Sequence, residues 1–467
     1  MAEIYRNYKE CTTILCPINI SNVLEIKLFY TFIQYLKNQH IMTQKQILQF
    51  IFFLVVFTSF SNVLTAQSLK QVKPEEVGFS TERLTYLTKT FQQYSKDKEL
   101  AGSVILVARH GKVAYFEADG YQDVTQNIPM QKNSMFRIAS QTKAIVSVGI
   151  MMLQEEGKLL ISDPVGKYIP EFKETTVAVA KEDGSYDVVA AKRPITIHDL
   201  LTHTSGVGYG GGVAAKEWEK AGIQGWYFAD RKEPIQETVK KMASLPFEAQ
   251  PGEKFVYGYN TDILGAIIEI VSGSNLDNFL HTKILNPLQM NDTYFYVPAD
   301  KSKRVATVYS ATEDGIEKAP VEGTMVSQGN YVSGPKTSFS GGAGLVSTAN
   351  DYARFLQMML NKGTLDGQRI LSRKSVELMT TNNLTEAEFT TTGAVGFGLG
   401  FTVLEDLGKR GTLGSVGEYG WGGAYHSTYW VDPAEDLLVV YFTQLIPANG
   451  LDDHDKLRAL IYQAIED

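Results

Sequence analysis

The sequence predicts an α/β sandwich in which an antiparallel sheet is flanked by helices and interrupted by a long helical insertion. Three observations carry that reading. Two β-rich runs stand side by side before residue 139, three more return after residue 395, and the stretch between alternates helical periodicity with Gly/Pro/Ser loops.

A polar linker covers 68–73. In "SVILVARHGKVAYFEADGYQD" two β-rich runs then flank "RHGK", the pattern of a hairpin. The first sheet part is therefore placed at about 77–139. From Ser140 to about Gly157 the period changes, with Ile145, Val148 and Met152 on one face and Val146, Ile150 and Leu153 on another. A helix apolar on both flanks is a buried helix, and Gly157 closes it. Helical stretches such as "ILGAIIEIVSG" and loops such as "HTSGVGYGGGV" fill the rest of an all-helical part at about 140–335. The sheet resumes over about 336–467. There "SGGAGLVSTANDYARFLQMMLNKG" reads as a turn and an amphipathic helix, "GFGLGFTVL", "AYHSTYWVDP" and "DLLVVYFTQ" as strands, and "DKLRALIYQAIED" as a closing helix.

Of the 467 residues 44% are apolar and 21% charged, enough apolar content to bury a large core in one domain or two intimate ones. A net charge of -8 without any Lys/Arg cluster excludes a nucleic-acid surface and leaves small molecules or peptides as partners. Oligomeric state is not legible. The one long apolar run, "ILQFIFFLVVFTSFSNVLTAQ", follows "MTQKQ" and ends on Leu64-Thr65-Ala66. It reads as a signal peptide at 42–66, cleaved after about Ala66, since its unbroken core falls short of the ~20 residues a span needs. Met42 is then the expected initiator, residues 1–41 an upstream extension, and the mature chain, at 67–467, is periplasmic or secreted with no membrane span. Both cysteines, Cys11 and Cys16, fall in the extension. The mature chain thus has no disulfides, cysteine nucleophile or thiolate metal site.

The chemistry starts at "FRIASQTKAIVSVG". Serine needs a neighbouring base to become a nucleophile, and Lys143 lies three residues after Ser140, one helical face away. Among Ala139, Ala144 and Ile145 its ammonium is expected to be disfavoured by desolvation, bringing it toward a neutral base. A serine at a helix start also has exposed amides beside any developing oxyanion. S-x-x-K alone, however, equally describes a helix cap with a snorkelling lysine.

Five landmarks in order distinguish the two: "FRIASQTK", "ITIHDLLTHTSGV", "PGEKFVYGYNTDILGAIIEIVSG", "GGAGLVSTANDYARFLQMML" and "GWGGAYHSTYWVDP". From about Val77 onward the chain resembles the penicillin-recognising serine hydrolases, in the class C β-lactamase-like branch that holds the family VIII carboxylesterases. The resemblance implies a β-lactamase/transpeptidase-like fold, Ser140 as the acylated nucleophile and Lys143 as its proton acceptor. Tyr257 matches the tyrosine that shuttles protons to the leaving group, its distance to "DILG" being that of the esterase-like members. "YGYN" also offers Tyr259, which stands where the lactamase pattern Tyr-x-Asn has asparagine and is kept as a substrate-binding candidate. Where lactamases carry Lys-Thr-Gly on a strand edge, this chain has Trp421-Gly422-Gly423, substrate-binding by the same match. The amides of Ser140 and Ala424 would form the oxyanion hole. Tryptophan in place of lysine removes the charge that pairs with a substrate carboxylate and leaves an apolar wall.

The implied function is an exported serine hydrolase cleaving carboxylic esters through an acyl-enzyme, without metal or organic cofactor. The alternatives are a β-lactamase or D-amino-acid-specific peptidase on cell-wall-like substrates, and a penicillin-binding or sensing module that does not turn over. Small esters, amides or β-lactams are the expected ligands. Of the remaining motifs, His198 and His203 lack a metal-binding spacing and are read as loop braces. Gly208 to Gly212 has no phosphate-loop sequel and reads as a mobile loop near the site. Gly341 and Gly342 are read as backbone requirements, and His426 either as a pocket lining or as a strand histidine satisfied by its neighbours.

Overall fold

β1 (Gly102–Arg109) and β2 (Lys112–Asp123) form the hairpin around "RHGK". Its turn residues, His110 at φ 52° and Gly111 at φ 70°, adopt the left-handed pair whose twist matches that of the strands. The computed structural model describes residues 69–321, 325–385, 389 and 393–467. The signal peptide expected at 42–66, the extension at 1–41 and both cysteines lie outside the described residues.

The other edge of β1 pairs antiparallel with β8 (Leu437–Phe442), Val104 opposite Phe442 and Arg109 opposite Leu437. The sheet is thus closed by strands from opposite ends of the described chain. With β3 (Ile128–Pro129), β4 (Val395–Phe397), β5 (Thr402–Leu404), β6 (Tyr419–Gly423) and β7 (Ser427–Asp432), the described order is β4-β5-β6-β7-β8-β1-β2-β3. "GFGLGFTVL" is a hairpin rather than one strand, because Gly400, at φ 96°, turns the chain between β4 and β5.

Every residue of β1 and β8 is buried, and the pleat explains why. Val104, Leu106 and Ala108 with Leu438, Val440 and Phe442 face a core shared with α2 (Thr142–Glu155), α3 (Asn260–Ser272) and α4 (Ala349–Leu360). Ile105 and Val107 with Leu437, Val439 and Tyr441 face α1 (Thr81–Lys96) and α5 (Asp453–Tyr462). A sheet covered on both faces needs apolar residues at every strand position, hence the unbroken run "LLVVYF".

The inserted part departs from the all-helical expectation. It contains the hairpins Thr176–Ala180 with Tyr186–Ala190 and Tyr309–Thr312 with Gly315–Lys318. The valines of "TVAVA" and "YDVVA" favour strand, and Gly184, at φ 81°, makes the reversal. Among the described residues no single helix is long and apolar enough to cross a membrane.

Leu438, fully buried on the central strand, is expected to cost ~2–5 kcal/mol when truncated to alanine. Truncating Leu413, which is half exposed, should stay within ~0.5 kcal/mol. Urea unfolding of the two variants measures both, and equal losses would contradict this layering.

Candidate active site

Ser140 is delivered by a sharp turn. The short strand Phe136–Arg137 pairs with Val346–Ser347, after which Ala139 takes φ 42° and the chain winds into the 3-10 turn Ala139–Gln141 and then α2. Two bonds hold the turn to the sheet side: Leu345 N donates to Thr142 Oγ1 at 3.1 Å and Tyr352 OH to Gln141 O at 2.9 Å. Ser140 is half-buried, whereas Lys143 is 2% exposed.

Lys143 Nζ donates to Gly342 O at 2.7 Å, Tyr209 OH at 3.0 Å and Ser140 Oγ at 3.2 Å. Three protons meet three acceptors, so the site is built around a saturated ammonium. Burial does act to lower the Lys143 pKa, as desolvation predicts. The Tyr209 and Tyr257 phenols, the bond to Tyr209 and the Asp262 carboxylate outweigh it and hold the group above the ordinary lysine value. The expected drift toward a neutral resting base is thereby corrected.

Asp262 lies one peptide away. Its carboxylate is buried and accepts from Ser340 Oγ at 2.6 Å and Gly342 N at 3.1 Å. Burial raises its pKa, against the pull of Lys143. The Gly342 peptide therefore links cation and anion, its carbonyl to Lys143 and its amide to Asp262. A Cβ on Gly342 would fall 2.4 Å from Asp262 Oδ2, which accounts for the glycine.

Two tyrosines flank the lysine in different ways. The Tyr257 ring lies under Lys143 Nζ, 4.6 Å from its centroid, and its hydroxyl accepts from Trp421 Nε1 at 2.9 Å. The hydroxyl bonded to Lys143 belongs instead to Tyr209, whose pKa burial pushes upward. Sequence reasoning passed over Tyr209 inside "GYGGG"; the available signal was an aromatic residue set among glycines just after "HTSG".

The loop carrying Tyr209 is pressed against the one carrying Tyr257. A Cβ on Gly258 would lie 2.3 Å from Val207 O and one on Gly206 2.1 Å from Ala249 O. Asn260 Nδ2 lies 3.0 Å from His203 Nδ1, 3.1 Å from Val207 O and 3.2 Å from Val256 O, tying both loops to α3. Burial, with Lys143 nearby, holds His203 well below the usual histidine pKa, so it is a neutral brace. His198 takes a separate partner, with Nε2 3.5 Å from Asn383 Oδ1.

Tyr259 is not part of the cleft. It is fully buried, donates to Gly225 O at 2.7 Å and stacks with Trp218 and Phe228, so its candidacy as a substrate-binding residue is corrected to a core role.

Ser140, Tyr209, Tyr257 and the whole of Trp421, Gly422, Gly423 and Ala424 line one cavity of about 500 Å³, closed further by Trp226, His426 and His454. β6 runs tightly along the turn that carries Ser140: a Cβ on Gly423 would fall 2.6 Å from Ile138 O. The residues whose amides are the oxyanion candidates, Ser140 and Ala424, thus border the same space, walled mainly by aromatic rings.

Residues 87–464 match the family model described as "Beta-lactamase". An uncharacterized protein of Mycobacterium tuberculosis is 35% identical over 76% of this chain and 88% of its own length. Esterase EstB of Burkholderia gladioli is 31% identical, over 76% of this chain and 89% of its own. A protein of Escherichia coli O157:H7 provisionally named a D-alanyl-D-alanine carboxypeptidase is 28% identical, over 80% and 84%. Among solved structures, EstCE1, titled a hydrolase with promiscuous acyltransferase activity, superposes with TM-score 0.69 at 27% identity, covering 82% of this chain and 99% of that one.

Tyr209→Phe removes one acceptor from the buried ammonium and should cost ~1–3 kcal/mol of stability at neutral pH. Because folding raises the Lys143 pKa, its ammonium stabilises the fold below the unfolded lysine value, and that stabilisation fades as pH rises through the folded value. The deficit should accordingly be present in urea titrations at pH 7 and shrink toward strongly alkaline pH. A variant as stable as the parent at pH 7 would contradict this account.

Proposed function

This chain belongs to the beta-lactamase family of serine hydrolases, and from that premise we propose that it is an exported esterase acting through an acyl-enzyme on Ser140. One observation carries the reading: Ser140 Oγ lies 3.2 Å from the buried Lys143 Nζ at an aromatic-walled cavity, with Trp421 where a substrate-pairing lysine would stand. Neutral esters suit such walls better than carboxylate-bearing β-lactams or peptides. The similarity to an esterase supports the same choice.

In the proposed cycle Ser140 Oγ attacks the ester carbonyl while its proton enters the Lys143 and tyrosine set. The acyl–oxygen bond then breaks and the alcohol leaves with that proton. Water attacks the acyl-enzyme, Ser140 regains a proton, and the carboxylic acid departs. Ser140 and Ala424 amides stabilise each oxyanion. Since Lys143 rests as a saturated ammonium, the reactive form is the one in which the Lys143–Tyr209 pair has lost a proton, and Tyr257 serves the leaving group. Small-molecule esters are the proposed substrates, and export follows from the signal-like run at 42–66.

A fluorophosphonate probe should label the protein and fail on Ser140→Ala. Short-chain nitrophenyl esters should be cleaved faster than a chromogenic cephalosporin or a D-Ala-D-Ala peptide; the reverse order would refute the ester assignment. On the neutral-to-alkaline side kcat/KM should climb with pH, and Lys143→Arg, which cannot be deprotonated, should lower it on the order of 10²–10⁴-fold. A flat profile would exclude a protonated resting pair. N-terminal sequencing of the exported protein should begin near Gln67, and a start at Ala2 would rule out the leader.

A further inference from the structure

The cavity lining also holds two histidines, His426 and His454, that the proposed cycle does not use. At the turn between β6 and β7, His426 adopts φ 64°, a conformation uncommon for a residue with a Cβ. Its ring is fixed from behind, Nε2 lying 2.7 Å from Oδ1 of the fully buried Asp453. The other carboxylate oxygen accepts from Tyr441 OH at 2.6 Å, so Asp453 cannot swing away. His454, next along α5, stacks on His426 with ring centroids 4.2 Å apart and directs its own Nε2 to the His426 carbonyl at 3.0 Å. Burial and the neighbouring His426 hold His454 below the usual histidine value, so it is neutral at neutral pH.

These bonds decide what the pair can offer. In neutral rings each Nε2–H is committed as a donor, to a carboxylate and to a carbonyl, and each Nδ1 then carries a lone pair. Among the described residues neither Nδ1 has a hydrogen-bond partner, and both rings line the cavity. The three side chains are close enough together to invite a metal reading. The rings, however, are only 20° from parallel and 4.2 Å apart. In-plane lone pairs on nearly parallel, stacked rings do not converge on one ion at the ~2.1 Å that zinc requires. In that form the cluster presents acceptors side by side, held from behind by the buried Asp453 side chain.

We propose that His426 and His454 form a subsite for a hydrogen-bond-donating group on the substrate, a hydroxyl or a primary ammonium, and so set specificity within an otherwise aromatic cavity. A site built to pair such a group discriminates against the analogue lacking it, because its own polar atoms are then left unpaired. The inference deepens the ester reading, yet its test needs no turnover.

Binding is measured by calorimetry on the Ser140→Ala chain with phenyl butyrate, phenyl 3-hydroxybutyrate and phenyl 3-aminobutyrate, and with ethyl against 2-hydroxyethyl butyrate. The first set carries the donor on the acyl side and the second on the alcohol side, and the amino ester separates ammonium from hydroxyl. At least one donor-bearing ester should bind about tenfold tighter than its plain partner, or ~1.4 kcal/mol. That ratio should fall below threefold when His454→Phe, which keeps a stacked ring, or His426→Gly, which tolerates φ 64°, is added. A ratio below threefold in every pair, failure of all esters to bind included, overturns the subsite, as does a ratio that survives both histidine substitutions. Failure of the parent enzyme to cleave esters would refute the ester assignment separately, leaving the binding ratio readable.

Discussion

A buried ammonium must find three acceptors, and the arrangement of this site follows from that requirement. Lys143 is carried by α2, but its partners come from elsewhere: Ser140 from the preceding turn, Tyr209 from a glycine-rich loop of the inserted part, and Gly342 from the loop before α4. Leaving any one unmade strands a charged donor in the interior, at a cost that rivals a good share of a domain's net stability. The site is therefore complete only where segments from both chain parts meet around α2.

The sheet makes that meeting possible. β1 and β8, drawn from opposite ends of the described chain, zip together along six residue pairs and are covered on both faces. That ladder fixes β7 and then β6, whose glycines let the backbone come against Ile138 and so bring Ala424 beside Ser140. Gly342 serves the electrostatics as Gly423 serves the geometry. Each allows a backbone group to stand where a side chain would have pushed it away.

What could be read without coordinates was what lies close in sequence. The Ser140–Lys143 spacing, the "RHGK" hairpin and the apolar runs of β1 and β8 are local patterns. Tyr209 was missed because nothing within "HTSGVGYGGGV" states that its loop folds onto a lysine 66 positions upstream. The Lys143 protonation state was misjudged for the same reason: desolvation is legible from apolar neighbours, whereas the tyrosines and Asp262 that outweigh it arrive from distant segments. Tyr257 and Tyr259 were hard to separate because they stand two apart around Gly258. α3 begins directly after Tyr259, and the approach to it sends the Tyr257 ring to the cavity and the Tyr259 ring into the core.

The two sides of the cavity come from different parts of the chain. Tyr209, Trp226 and Tyr257 belong to the inserted part, whereas Trp421 to Ala424, His426 and His454 belong to the closing sheet and its last helix. Tyr257 and Trp421 join the sides through one hydrogen bond, from the indole N–H to the phenol oxygen. With that oxygen's acceptor role taken by Trp421, the phenol proton is left to point elsewhere, and Lys143, beneath the ring rather than at its hydroxyl, does not compete for it. The aromatic wall thus orients the phenol as well as lining the cavity. A change at Trp421 would alter both at once, whereas His426 and His454 line the same cavity without a bond to either ring.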